Sequence, residues 1–92
     1  MFNAVRFQTL GLRDKDKKDA EQLITSNGGM VHRMNVSYEG KQIIVCSPSQ
    51  NNTGLTLKRA YEKNIPVVGI KYLQLCITNN QFSYEDAIMY VI

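Results

Sequence analysis

Two adjacent glycines, a lone histidine beside an arginine, an acidic run and two cysteines are the places in this chain where chemistry would begin. Gly28-Gly29, inside ITSNGGMV, has the composition of a phosphate cradle. Such a loop must follow a strand and open a helix, so that unpaired N–H groups aim at the anion. Here a helix-like run precedes the glycines and a strand-like run follows them. An anion at that point would meet the negative end of the helix dipole, and neither GxGxxG nor GxxxxGK[ST] occurs in the chain. The pair is therefore read as a structural turn, one glycine taking positive φ and the other letting two backbone segments approach.

The other groups are equally poor in chemistry. His32 is the only histidine, and Arg33 beside it, with no nearby acid, offers no nucleophile and base arrangement. Asp14, Asp16 and Asp19 are interleaved with lysines, which oppose a divalent cation, and they lack the spacing of a calcium loop. Glu85-Asp86 is an isolated acidic pair. Cys46 and Cys76 sit in apolar contexts, IIVCSP and LQLCIT, without a CxxC, and are expected to be buried reduced thiols. No metal, cofactor or catalytic constellation is expected, so the chain reads as a binding module and not as an enzyme.

Composition sets the frame for that module. The 92 residues suffice for one core and one domain, spanning 1–92. No apolar run approaches the roughly 18 to 20 residues of a membrane-spanning helix, and no membrane partner is expected; with no signal-like leader, an intracellular protein or a domain cut from one is expected. Eleven Lys and Arg against eight Asp and Glu give a net charge of +3, which permits nucleic acid or an acidic peptide as partner without requiring either. In RDKDKKDAE, Arg13 to Glu21, bases and acids cancel, as on a solvated helix face. The residual positive charge falls on Lys58, Arg59, Lys63 and Lys71.

These groups must be positioned by elements that hydropathy patterning predicts. Val5 and Phe7 alternate with Arg6 and Gln8, as in a strand closed by Leu10-Gly11-Leu12. Asp14 or Asp16 would cap a helix with Ala20, Leu23 and Ile24 on its apolar stripe. Met30 to Met34 predicts a second strand, KQIIVCSP a third covered on both faces, and IPVVGI a fourth. Between the last two, Thr53 is the expected cap of LTLKRAYEKN, whose stripe is Leu57, Ala60 and Tyr61. A helix over about Lys71 to Thr78 ends at Asn79-Asn80, and the tail QFSYEDAIMYVI is expected to pack back through Phe82, Tyr84, Ile88 and Tyr90. Short apolar strands alternating with helices predict an α/β fold, a small four-stranded parallel sheet flanked by three helices.

LITSNGGMV, IIVCSP and LKRAYEKNIPVVGIKYLQLCI, in that order and spacing, resemble the BRCT domain, a phosphopeptide- and protein-interaction module of DNA-damage, replication and checkpoint proteins. The likeness runs from Phe2 to about Tyr90, with Tyr72 at the place of the family's usual tryptophan and Gly28-Gly29 at its turn between first helix and second strand. The resemblance implies strand order 2-1-3-4, with the first and third helices on one face and the second on the other. It also implies a nuclear protein whose partner is another protein or peptide segment, phosphorylated or not, with a neighbouring BRCT repeat in a longer parent chain as one form of that partner.

In phosphopeptide-binding members, the resemblance implies a Ser or Thr hydroxyl just before a glycine at the end of the first strand, and a lysine at the start of the second helix. Here Leu10 precedes Gly11, and Thr9 lies one position earlier, on the opposite face of a strand. The lysine position falls on Thr56, and Lys58 is two residues on, about 200° around a helix. A phosphate-independent scaffold is the expected function. Two alternatives stay open: a shifted phosphate pocket using Thr9, Gly11, Thr56 and Lys58, and weak, salt-sensitive DNA binding through Arg6, Arg13, Lys58, Arg59 and Lys63.

Overall fold

In the computed structural model, which describes residues 1–33, 35, 37–46 and 55–89, the alternation at the start of the chain becomes β1 (Val5–Leu10), with Val5 and Phe7 buried. It lies at the centre of a four-stranded sheet with β2 (Met30–Val31), β3 (Lys41–Cys46) and β4 (Val67–Val68), in the order β2-β1-β3-β4. Every pairing is parallel, which requires each connection to cross over the sheet. The helices α1 (Asp14–Ser26), α2 (Leu55–Glu62) and α3 (Ile70–Thr78) follow β1, β3 and β4 in turn. A fourth, α4 (Tyr84–Met89), forms from the segment expected only as a packed tail.

Because successive strand residues face opposite sides, the sheet carries two cores. Phe2, Val5, Phe7, Ile43, Val45 and Val68 pack with Ile24 of α1, Tyr72, Leu73 and Cys76 of α3, and Ala87 of α4. Ile44, Cys46 and Val67 pack with Leu57 and Ala60 of α2 and with Ile65. The division of helices between faces is thus the one implied by the resemblance, and Tyr72 anchors α3 as expected. Phe2 is the hub of the first core, edge-on to Phe7 at 5.2 Å between ring centroids and to Phe82 at 5.0 Å.

The helices α1, α2 and α3 end the same way. At α1, the Gly28 N–H donates to Thr25 O at 3.2 Å and the Gly29 N–H to Ile24 O at 2.9 Å, with Gly28 at φ +88°. This is a Schellman cap, which satisfies carbonyls that the helix leaves unpaired. Asn64 and Asn80, at φ +57° and +50°, do the same for α2 and α3, as the N–H donations of Ile65 to Ala60 O at 2.8 Å and Gln81 to Cys76 O at 3.0 Å show. Asn accepts this left-handed conformation more readily than other residues with a side chain.

Several local expectations differ from what forms. The α1 N-cap is Arg13, with no side-chain cap bond; Asp14 and Asp16 lie inside the first turn, where their charge still complements the helix dipole. Tyr61 is 57% exposed and not part of the α2 stripe, because Leu57 and Ala60 already fill the narrow contact with the sheet. The second strand pairs only over Met30–Val31, continued by one bond from the His32 N–H to Phe7 O at 2.8 Å. The expected cap Thr53, and Tyr90 in the tail, lie outside the described residues. Cys46 and Cys76 are buried and in no disulfide, as expected.

Candidate functional site

Parallel strands give the sheet two unlike edges, and the residues singled out from the sequence divide between them. β1 and β3 end at the carboxyl edge, where α1 and α2 begin; both helices then run back to the amino edge so that the next strand can start there. Crevices at the carboxyl ends of strands are the usual ligand sites of open α/β sheets. Leu10, Gly11 and the first turn of α2, with Thr56, all belong to this edge.

The register assigns the faces. Leu10 is opposite Cys46 and Thr9 opposite Val45, and partners in a parallel pair point to the same side. Leu10 therefore faces α2 and is partly buried against the cluster of Ile44, Cys46, Leu57, Ala60 and Ile65. Thr9 points to the α1 and α3 side, away from α2. Gly11, at φ +69°, makes the exposed turn toward α1. Lys58 is exposed on α2, one residue past the buried Leu57. The side chain that shares a face with α2 at the end of β1 is thus an apolar one. Cys46, at the same height on β3, adds no charge, since burial pushes its thiol pKa up.

The basic residues do not gather at one edge. Arg13 is exposed at the start of α1, Lys58 and Arg59 lie along the outer face of α2, and Lys63 follows its last turn at the amino edge. Arg6 sits near the start of β1, about 13 Å along the strand from Leu10, with its guanidinium 4.5 Å from the Tyr38 ring centroid. Asp14, Asp16, Asp19, His32 and Arg33 are all exposed. Among the described residues no three His, Cys, Asp or Glu side chains are grouped to hold a metal ion.

The amino edge holds a feature that periodicity does not announce. A groove of about 720 Å³ runs past the start of β3, lined by residues 37–42, by Lys63, Asn64 and Ile65, and by Tyr84. Its walls are fixed by Gln42, only 4% exposed. The Gln42 side chain accepts from the Asn35 N–H at 2.8 Å and donates to Asn35 O at 2.9 Å. On the other wall the Tyr84 hydroxyl donates to Gln42 O at 3.2 Å and accepts from the Gln42 N–H at 3.5 Å. Ile44 bonds toward β4 through Pro66 O, so Gln42, two residues back, aims its main chain to the same side, where β4 has not begun. Tyr84 thus takes the place of a strand there.

Charge is arranged around this groove. The Lys41 ammonium lies 5.8 Å from the Tyr84 ring centroid. The Glu85 carboxylate accepts from the Ser83 hydroxyl at 3.0 Å. Its own backbone N–H, then that hydroxyl and Lys41, hold it below the usual carboxylate range.

Comparison with known proteins follows the fold. The model of the BRCA1 C Terminus (BRCT) domain family matches residues 1–77. Among solved structures, the C-terminal BRCT domain of human XRCC1 superimposes with a TM-score of 0.72 at 12% identity, covering 99% of this chain and 92% of that one. The second XRCC1 BRCT domain gives 0.71 at 14% identity, with 99% and 89% covered. The BRCT domain of human DNA repair protein REV1 gives 0.59 at 20% identity, with 94% and 84% covered. At these identities the likeness is one of fold. No curated protein sequence matches the chain.

Proposed function

This chain belongs to the BRCT domain family, and from that premise we propose that it is a non-catalytic protein-interaction module of a nuclear DNA repair, replication or checkpoint protein, and that it recognises its partner without phosphate. One observation carries the second half of this reading. Leu10, directed at α2 and seated in the apolar cluster of Ile44, Cys46 and Leu57, occupies the position at which phosphopeptide-binding members present a hydroxyl. A methyl-bearing side chain donates no hydrogen bond, and a dianion beside it would be desolvated without compensation. Gly11 still presents a backbone N–H at this turn, and Lys58 is the nearest α2 lysine in sequence to the position expected for the second contact, Thr56. With Thr9 on the far side of the sheet, a shifted pocket on this side would rest on Gly11, Thr56 and Lys58.

The test is a titration of phosphoserine and phosphothreonine peptide libraries, each with its unphosphorylated counterpart. Equal affinities within each pair are expected, unchanged by Lys58→Ala. Binding that is tight, needs the phosphate and is lost in Lys58→Ala would replace this reading with the shifted pocket.

A further inference from the structure

The groove at the amino edge is separate from the end of the sheet that holds Leu10, and nothing proposed for that end uses it. We infer that it is a second docking surface, and that its occupant is an acidic peptide segment in extended conformation. The failure of this inference would leave the reading of Leu10 untouched.

Shape comes first. At about 720 Å³ the groove lies within the range of formed ligand pockets, roughly 300 to 1,000 Å³. It is also preorganised, since Gln42 holds Asn35, just before the lining segment, by two hydrogen bonds and reaches Tyr38 O within it, and Tyr84 clasps the Gln42 main chain from the other wall. A partner would not have to order these walls on arrival.

Charge then selects the occupant. Lys41 and Lys63 line the groove with Glu39 as the only acid among the described lining residues. Arg6 lies behind Tyr38. Glu85, next to the lining residue Tyr84, is already engaged by Ser83. Glu85 keeps its charge and faces Lys41, so Lys41, Lys63 and Arg6 against Glu39 and Glu85 leave the groove one charge positive inside a chain of net charge +3. Such a surface steers and holds an acidic segment.

The tyrosines decide against nucleic acid. Single strands are held by bases stacked on open aromatic faces, whereas the Tyr38 and Tyr84 rings each have a cation against one face, Arg6 and Lys41. The groove offers the cations Lys41 and Lys63 at its rim, which suit carboxylates spaced along a peptide.

The experiment uses a fluorescein-labelled octapeptide of alternating Glu and Ser, with a Lys and Ser octapeptide and a thymidine octanucleotide as comparators. It is read by fluorescence anisotropy and by amide chemical shifts of the whole chain. The Glu and Ser peptide is expected to bind with shifts centred on residues 37–42, on 63–65 and on Tyr84. Lys41→Glu with Lys63→Glu is expected to weaken it about tenfold or more, from two reversed rim charges. Lys17→Glu with Lys18→Glu changes the net charge by the same amount on the exposed face of α1 and is expected to leave the affinity within about twofold. All four side chains are exposed, and circular dichroism checks that each variant folds. Absence of binding, shifts centred elsewhere, or equal weakening by the two double variants would overturn the inference. Tighter binding of the octanucleotide, weakened by the Lys41 and Lys63 reversals, would overturn the choice of occupant.

Discussion

Substituting Gly28 and Gly29 separately by alanine distinguishes two physical reasons for a glycine. Gly28 is at φ +88°, where a residue with a Cβ is strained by about 1 to 2 kcal/mol; what its Cβ would meet is the side chain of Asn3, an exposed residue free to turn aside. Gly29 lies outside the left-handed region but has no room. Its Cβ would stand 2.7 Å from Ile24 Cγ2, 3.0 Å from Phe7 Cε1 and 3.1 Å from Phe2 Cβ, and all three residues have no solvent exposure. Relief would require the hub of the larger core to move, at about 2 to 3 kcal/mol by the cost of overpacking.

In a domain of this size 1 kcal/mol shifts the melting midpoint by roughly 4 to 8 °C. Gly29→Ala is therefore expected to lower the midpoint by about 10 to 20 °C, and Gly28→Ala by about half as much. Calorimetry or urea unfolding followed by circular dichroism measures both, and neither substitution is expected to alter peptide binding of the folded protein. If Gly28→Ala proved the more damaging, backbone strain and not packing would govern this turn, and the account of Gly29 would be wrong.

Other consequences can be checked with single variants. Tyr84→Phe removes the hydroxyl that serves the Gln42 main chain and is expected to cost about 1 to 3 kcal/mol in urea unfolding, whereas a loss below about 0.3 kcal/mol would mean that water serves Gln42 equally well. Ala4, at φ +63°, should accept glycine with a gain of about 0.5 to 1 kcal/mol; a lower melting midpoint for Ala4→Gly would contradict the strain assigned to it. Burial raises the Cys46 pKa in the folded chain, so its contribution to stability is present below the unfolded thiol pKa and lost as pH rises through the folded value. Wild type is accordingly expected to lose stability relative to Cys46→Ala as pH rises above the unfolded thiol value of about 8.5, and parallel pH profiles would refute it.

Legibility in the sequence followed the length of the pattern. The six-residue β1 and β3 and the apolar stripes of α1 and α3 repeat often enough to be read, and their alternation carries the parallel sheet, while the division of helices between its faces comes from the BRCT resemblance. The two-residue β2 and β4 are too short for a period; the strand read over Met30 to Met34 forms its ladder at Met30–Val31 and not at His32 or Arg33, and Met34 lies outside the described residues. Tyr61 shows the complementary limit, since helical spacing admits it to a stripe that the sheet leaves no room for. At the candidate site, Leu10 and its face were readable from parity along β1. The groove was not, because it depends on Gln42 and Tyr84, 42 residues apart, meeting where β4 begins late. A buried glutamine heading an apolar run was the one available sign, and periodicity has no use for a single polar residue.

The two-residue edge strands also bear on how any partner is read. Proteins that recruit a peptide by strand addition offer it a long open edge, and here β2 and β4 provide little ladder for an incoming chain. Pro66, without an N–H, precedes β4, and the Tyr84 hydroxyl occupies the main chain of Gln42 beyond it. Backbone pairing, which is blind to sequence, is thereby limited as a route to binding and to self-assembly alike. Partner choice falls to side chains, so specificity can change by point substitution on a surface while the sheet beneath stays the same.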